Sequence, residues 1–395
     1  MGLNETPSGE RVRIGFFGMR NAGKSSLVNA VTGQDLAVVS SVAGTTTDPV
    51  SKAMELLPLG PVVIVDTPGM DDEGDLGGLR VRKARQALRG CDVAVLVVDV
   101  TRGLMPLDRM LLEEFESRGV PHVIAFNKAD LMHGALPGAA ENALLVSAKA
   151  GTGVHELKVR IGGLAGKAGR RRVLVADLVD VGDMVVLVTP IDASAPKGRL
   201  ILPQQLVLRD LLDAHASATV CQPRELAGVL GVMRRSPRLV ITDSQAFAGV
   251  AKTVPREVPL TSFSILMARY KGDLPSLVRG VKALAKLDDG SRVLISEGCT
   301  HHRQCEDIGT VKLPGWIRAY AQAEPTFAFT SGGEFPDDLA AYDLVVHCGG
   351  CMLNEREMAH RMRVATDAGV PMVNYGVAIA QMNGILDRSL EPLGL

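Results

Sequence analysis

The run Gly18-Met19-Arg20-Asn21-Ala22-Gly23-Lys24-Ser25 constrains the fold of this chain more than any other stretch. It follows a short apolar segment, 13–17, that reads as a strand, and it precedes a helix predicted from Ser26. That is the setting a GxxxxGK[ST] phosphate loop requires. Its glycines let backbone N–H groups surround a β-phosphate, Lys24 carries charge to the β and γ oxygens, and Ser25 offers its hydroxyl to Mg2+. Gly18, Asn21, Ala22, Gly23 and Ser26 complete the predicted cradle.

The other parts of a nucleotide site follow at workable distances. Gly44-Thr45-Thr46-Thr47-Asp48 is a polar loop with a threonine available for the Mg2+ shell and the γ-phosphate. Asp66-Thr67-Pro68-Gly69 follows the apolar strand 62–65, which puts Asp66 behind Mg2+ and Gly69 on the γ-phosphate side. Asn127-Lys128-Ala129-Asp130 ends one further strand and Ser147-Ala148-Lys149 ends the next. Asp130 can accept from N1 and the 2-amino group of guanine, a pattern adenine lacks, so the expected nucleotide is GTP.

On these five motifs, residues 13–160 resemble an Era/TrmE-type GTPase domain. The resemblance implies that Lys24, Thr46, Asp66 and Gly69 carry hydrolysis, Thr46 being selected by aligning GTTTD with the GTTRD of tRNA-modification GTPases. It also implies that Asn21 holds K+ beside the phosphates, as in potassium-activated members. Met70 stands where Ras-like enzymes carry a water-orienting glutamine, so turnover is expected to be slow.

A length of 395 residues gives room for two or three domains. Aromatic residues are only 4% while Gly numbers 42, a composition that suits α/β architecture with many tight turns. The expected fold is therefore a P-loop GTPase domain (1–165) followed by two smaller parallel-sheet α/β domains (173–265 and 274–395). A hinge is expected at the glycine- and arginine-rich stretch 162–172. Strands are predicted at 184–189, 217–221, 238–242 and 257–263, with helices between them, and then at 292–296, 343–346 and 371–374. The middle sheet is small, and pairing with a second copy would cover one of its edges.

A net charge of -1 gives no electrostatic reason to expect nucleic acid, and no apolar run reaches membrane-spanning length. Six cysteines without a signal peptide predict a reducing cytoplasm, where thiolates bind metal.

Three of those cysteines form the second site. His347-Cys348-Gly349-Gly350-Cys351 is answered upstream by Cys299-Thr300-His301, with 45 residues between the two histidines. Cysteines three positions apart converge on one centre when glycines let the backbone bend and turn N–H groups toward the sulfurs. Three chemistries fit: a closed zinc tetrahedron, a dithiol redox pair, or an iron–sulfur cluster on three thiolates. Both motifs fall just past the carboxyl ends of predicted strands, where open α/β sheets place ligands. Cys91 and Cys221 read as core residues, and Cys305 has no partner at short spacing.

A GTPase domain, a middle α/β module and a Cys-x-His … His-Cys-x-x-Cys domain, in that order, resemble the HydF family of FeFe-hydrogenase maturation GTPases. The resemblance spans essentially the whole chain. It implies a cytoplasmic homodimer or larger assembly that binds a 4Fe-4S cluster through Cys299, Cys348 and Cys351, with His301 and His347 as further candidate ligands. It also implies a scaffold that receives a di-iron precursor from radical-SAM maturases and passes it to apo-hydrogenase. The competing reading is an RNA-modification or ribosome-assembly GTPase with a C-terminal zinc module.

Overall fold

The computed structural model describes residues 8–33, 50–57, 59–69, 74–132, 142–168, 173–191, 200–298 and 308–395. The chain divides into two compact units, Met1–Arg171 and Arg172–Leu395. Predicted site residues Thr46, Cys299 and His301 lie outside the described residues, as do Met70 and Cys305.

Unit 1 is built on six strands: β1 (Val12–Phe17), β2 (Val50–Leu56), β3 (Gly60–Asp66), β4 (Val93–Asp99), β5 (His122–Asn127) and β6 (Ala143–Leu145). Their order is β2-β3-β1-β4-β5-β6, and among the described residues only the β2–β3 pair is antiparallel. The central strands are apolar on both faces, Val93 to Val98 being buried without a break, because helices cover each side. Each such side chain contributes about 1.5–3 kcal/mol by leaving water. The register that aligns Phe16 with Asp66 and Asp99 with Asn127 brings the carboxyl ends of β1, β3, β4 and β5 together.

Three glycines of the expected hinge lie within a helix instead, and 169–172 fall outside the described residues. The helix Val154–Ala168 runs through Gly162, Gly163 and Gly166. Leu157, Ile161 and Ala165, four residues apart, are all buried on its inner face. Tertiary burial at that spacing outweighs a cost of about 1 kcal/mol per helical glycine.

Unit 2 holds two four-stranded parallel sheets. The first contains β7 (Met184–Val188), β8 (Ser217–Cys221), β9 (Leu239–Thr242) and β10 (Leu260–Ser262), in the order β10-β9-β7-β8. The second contains β11 (Arg292–Ser296), β12 (Thr326–Thr330), β13 (Leu344–His347) and β14 (Met372–Asn374), in the order β12-β11-β13-β14. Both sheets wind outward from their first strand in the same way, so each has a switch point between its first and third strands. They share one core: Val186 and Val240 of the first and Ile295 and Val345 of the second belong to a single buried cluster. The two segments expected as separate domains are thus packed into one unit. Among the described residues no helix is long and apolar enough to cross a membrane.

Candidate nucleotide and thiol sites

The phosphate loop joins β1 to the helix Lys24–Thr32, and two of its glycines are sterically required. Gly18 has φ 140°, and a Cβ there would lie 2.2 Å from Val97 O. Gly23 has φ 86°, and a Cβ there would lie 2.3 Å from Asn127 Nδ2. Asn21 also adopts the left-handed region, at φ 63°. Lys24 is buried and donates to the carbonyls of Gly18 (3.0 Å) and Met19 (2.9 Å), folding its ammonium back over the loop. Ala22 is buried, while Ser25 and Ser26 are half-buried in the first turn of the helix.

Asp66 and Gly69 close the other side. Ser25 Oγ donates to Asp66 Oδ2 at 3.0 Å. Asp66 Oδ1 is buried without a protein partner among the described residues. Burial pushes the Asp66 carboxyl up, against the pull of the Lys24 charge and the Ser25 hydroxyl. A buried, half-satisfied carboxylate beside a serine hydroxyl is a donor set that fits Mg2+. A Cβ on Gly69 would lie 2.9 Å from Arg20 Cα, so this residue can rest on the loop only as glycine.

The guanine side is tied to the loop through Asn127. Its Nδ2 donates to Ala22 O (3.0 Å) and its Oδ1 accepts from Ala148 N (3.0 Å), linking the phosphate loop to the Ser147-Ala148-Lys149 turn. Asp130 accepts from Ser147 Oγ (2.6 Å), and that bond holds its carboxyl below the usual range. Lys128, at φ 65°, pairs with Asp99 (2.6 Å), and Lys149 is exposed. The chain therefore brings every described member of the predicted nucleotide set to one end of one sheet.

The thiol turn lies at the switch point of the third sheet, between β11 and β13. β13 ends at His347; Cys348, Gly349, Gly350 and Cys351 follow, with Gly350 at φ 64°. Cys348 Sγ accepts from Gly350 N (3.3 Å) and from Gly298 N (3.0 Å). The second bond brings the chain leading to Cys299 against the first thiol, because Gly298 immediately precedes it. Burial pushes the Cys348 thiol up to about 11, opposed by those two N–H groups. The Cys351 thiol is also raised by burial, against the nearby Lys271 charge. A cation at the sulfurs reverses such a balance, and N–H donors aimed at sulfur suit iron–sulfur thiolates. Among the described residues no group of three or more His, Cys, Asp or Glu side chains is placed to hold a metal ion; Cys299 and His301 fall outside them.

His347 has both ring nitrogens engaged. It is fully buried, Nδ1 lies 2.7 Å from Cys348 O, and Nε2 lies 3.0 Å from Arg361 Nη1. A guanidinium can only donate, so Nε2 accepts and Nδ1–H donates to the carbonyl. Burial, then the Arg361 charge, pushes this histidine down to about 3 and keeps it neutral. Arg361 is itself fully buried, bonded to Glu357 (2.9 Å) and Gly332 O (2.6 Å), and lies over the Phe335 ring. Sequence reasoning missed Arg361. An Arg four residues after a Glu on a helix ordinarily reads as a surface pair, and only the fold turns this one inward.

Three family models match the chain. One described as 50S ribosome-binding GTPase covers residues 13–128. One described as Hydrogen maturase F dimerization domain covers 174–272, and one described as Hydrogen maturase F tetramerization domain covers 275–392. Over 168 residues the chain is 33% identical to the tRNA modification GTPase MnmE of Synechococcus, which is 42% of this chain and 36% of that protein. Over 129 residues it is 33% identical to GTPase Der of Kosmotoga olearia, 31% of this chain and 29% of that protein. The chain spans about a third of the length of the curated relatives it matches. Among solved structures it is similar to an Aquifex aeolicus Era variant bound to GDP·AlF4− (20% identity, 53% of this chain, 92% of that chain, TM-score 0.34). It is likewise similar to S. thermophilus NFeoB bound to GDP·AlF4− and K+ (23% identity, 40% and 64%, TM-score 0.33).

Proposed function

Because the chain belongs to the hydrogen maturase F family, with its dimerization and tetramerization domains behind a P-loop GTPase domain, we propose that it is a GTP-hydrolysing scaffold for FeFe-hydrogenase maturation. In this reading the chain binds a 4Fe-4S cluster, accepts a di-iron precursor from radical-SAM maturases and delivers it to apo-hydrogenase. Residues 173–265 associate with a second copy and 274–395 carry the cluster.

The GTPase residues have separate tasks. Lys24 and the loop amides hold the β- and γ-phosphates. Ser25, Asp66 and Thr46 hold Mg2+, and Gly69 faces the γ-phosphate. Asn127, Asp130 and the Ser147–Lys149 turn hold the guanine. Asn21 takes K+, whose charge stands in the place an arginine finger fills in other GTPases.

Cys299, Cys348 and Cys351 would hold the cluster, which supplies a soft iron position open to cargo or to a partner group. His347 acts beside them as a strut: its Nδ1–H fixes the Cys348 carbonyl, and Arg361 fixes its ring. That leaves His301, a carboxylate, water or a group of the cargo for the remaining, exchangeable iron position. The observation that carries this reading is the Gly298 N–H on Cys348 Sγ, since it draws two distant chain segments onto one thiol at a switch point. The match to a tRNA-modification GTPase covers 42% of the chain, whereas the hydrogen maturase F models account for 174–272 and 275–392, which favours the maturation reading over the zinc-module alternative.

The test is transfer. Protein isolated from cells that also make the radical-SAM maturases should activate a purified apo-hydrogenase, and protein isolated without them should not. Activation by neither preparation contradicts the carrier role.

A further inference from the structure

A buried lysine from the middle sheet's last helix reaches the thiol turn. Lys271 ends the helix Phe263–Lys271 and is 3% exposed. Its ammonium donates to Cys351 O at 3.1 Å and to Leu353 O at 2.7 Å. Taking an ammonium out of water costs several kcal/mol unless its surroundings repay it. The helix dipole favours a cation in this last turn by only about 0.3–1 kcal/mol, less than the cost of burying it, so helix formation alone does not account for the charge.

The same helix is fastened at its other end. Ser264 Oγ accepts from Asn374 Nδ2 (3.0 Å) and from Gly376 N (3.2 Å), where β14 leaves the third sheet. A Cβ on Gly349 would lie 3.6 Å from Met267 Cβ, in ordinary contact with the middle of the helix. The helix thus spans from the exit of β14 to the CxxC turn, and it belongs to the segment matched by the dimerization model.

Resting on the reading that these thiolates hold an iron–sulfur cluster, we infer that Lys271 is a positioning residue for it, fixing the carbonyls around Cys351 and setting a positive charge beside the cluster. A cluster on three thiolates is anionic and gains a further negative charge on reduction. A fixed cation in a buried, low-dielectric setting therefore favours the reduced state. The redox poise of the metal site is set in part from the segment that makes the oligomer.

The experiment uses the full chain, reconstituted anaerobically with iron and sulfide. Lys271→Arg, Lys271→Gln and Lys271→Met are compared with the unsubstituted protein for reduction potential, by dye-mediated titration followed by paramagnetic resonance, and for iron loss to a chelator. The Gln and Met variants should titrate at more negative potential and lose iron about 10–100-fold faster, the usual effect of removing an outer-shell partner. Lys271→Arg, which keeps charge and donors, should stay near the unsubstituted potential. If Lys271→Met does not fold, the Arg and Gln pair carries the same comparison. Unchanged potential and retention in the Gln variant overturn the inference, and so does an Arg variant shifted as far as Gln, which would mean packing alone. Failure of the unsubstituted protein to take up iron and sulfide would instead sink the cluster reading on which the inference rests.

Discussion

At the nucleotide site, short motifs each close a strand of one sheet, and the phosphate-binding groups are mainly backbone amides. At the thiol turn two segments some fifty residues apart meet, Gly298 donating to Cys348 Sγ, and supporting charge comes from two further helices. Both sites sit at the carboxyl ends of parallel strands. The difference is in what is fixed beforehand. Asn127 already bridges the phosphate loop to the Ala148 turn, so the nucleotide cradle is tied before GTP arrives. At Cys348 the two N–H bonds prepare one sulfur, while burial raises both thiols, a cost that bound metal would offset in the proposed cluster site. The nucleotide site is preorganised for its ligand, and in the proposed reading the thiol site would be completed by its cluster.

If that contrast is right, damage to one site should leave the other alone. The largest effect expected is from Lys24→Ala, which should abolish GTP turnover while leaving iron content unchanged; a mutant isolated without iron would break the comparison. Almost as large is Cys348→Ser, which should lose most of the iron and keep GTP turnover, as measured by phosphate release.

A smaller effect should sharpen the nucleotide side. The unsubstituted protein should hydrolyse GTP at or below about 0.01 per second without a partner, and faster in potassium than in sodium. Asn21→Ala should erase the difference between the salts. Equal rates in both salts for the unsubstituted protein would remove K+ from the account.

The smallest effect concerns His347. With Nδ1 on the Cys348 carbonyl and Nε2 on Arg361, His347→Ala should keep most of the cluster but change its paramagnetic resonance spectrum. Loss of the cluster as complete as in Cys348→Ser would make this histidine a ligand.

The nucleotide site was legible because its chemistry lies in contiguous motifs, each attached to a strand that periodicity reveals. The thiol turn was legible only as cysteines and histidines. Arg361, which holds the His347 ring, and Lys271, which holds the Cys351 and Leu353 carbonyls, come from helices whose sequence pattern does not show that their charged residues point inward. His347 is a candidate ligand by spacing, and spacing does not show the partners that both ring nitrogens have in the fold. Among the strands, β12 went unread: Thr326-Phe-Ala-Phe-Thr330 is a half-exposed edge strand, so no buried apolar run marks it. Gly162 and Gly163 predict a hinge where the structure has a helix, because glycine is a local signal whereas the burial of Leu157, Ile161 and Ala165 is not.

The central claim is that one chain joins a GTPase to an iron–sulfur site on Cys299, Cys348 and Cys351. It is tested most directly by metal and acid-labile sulfide analysis of the anaerobically purified, reconstituted protein. The account predicts about four iron and about four sulfide per chain, falling together in Cys348→Ser. Stoichiometric zinc with no labile sulfide would contradict it.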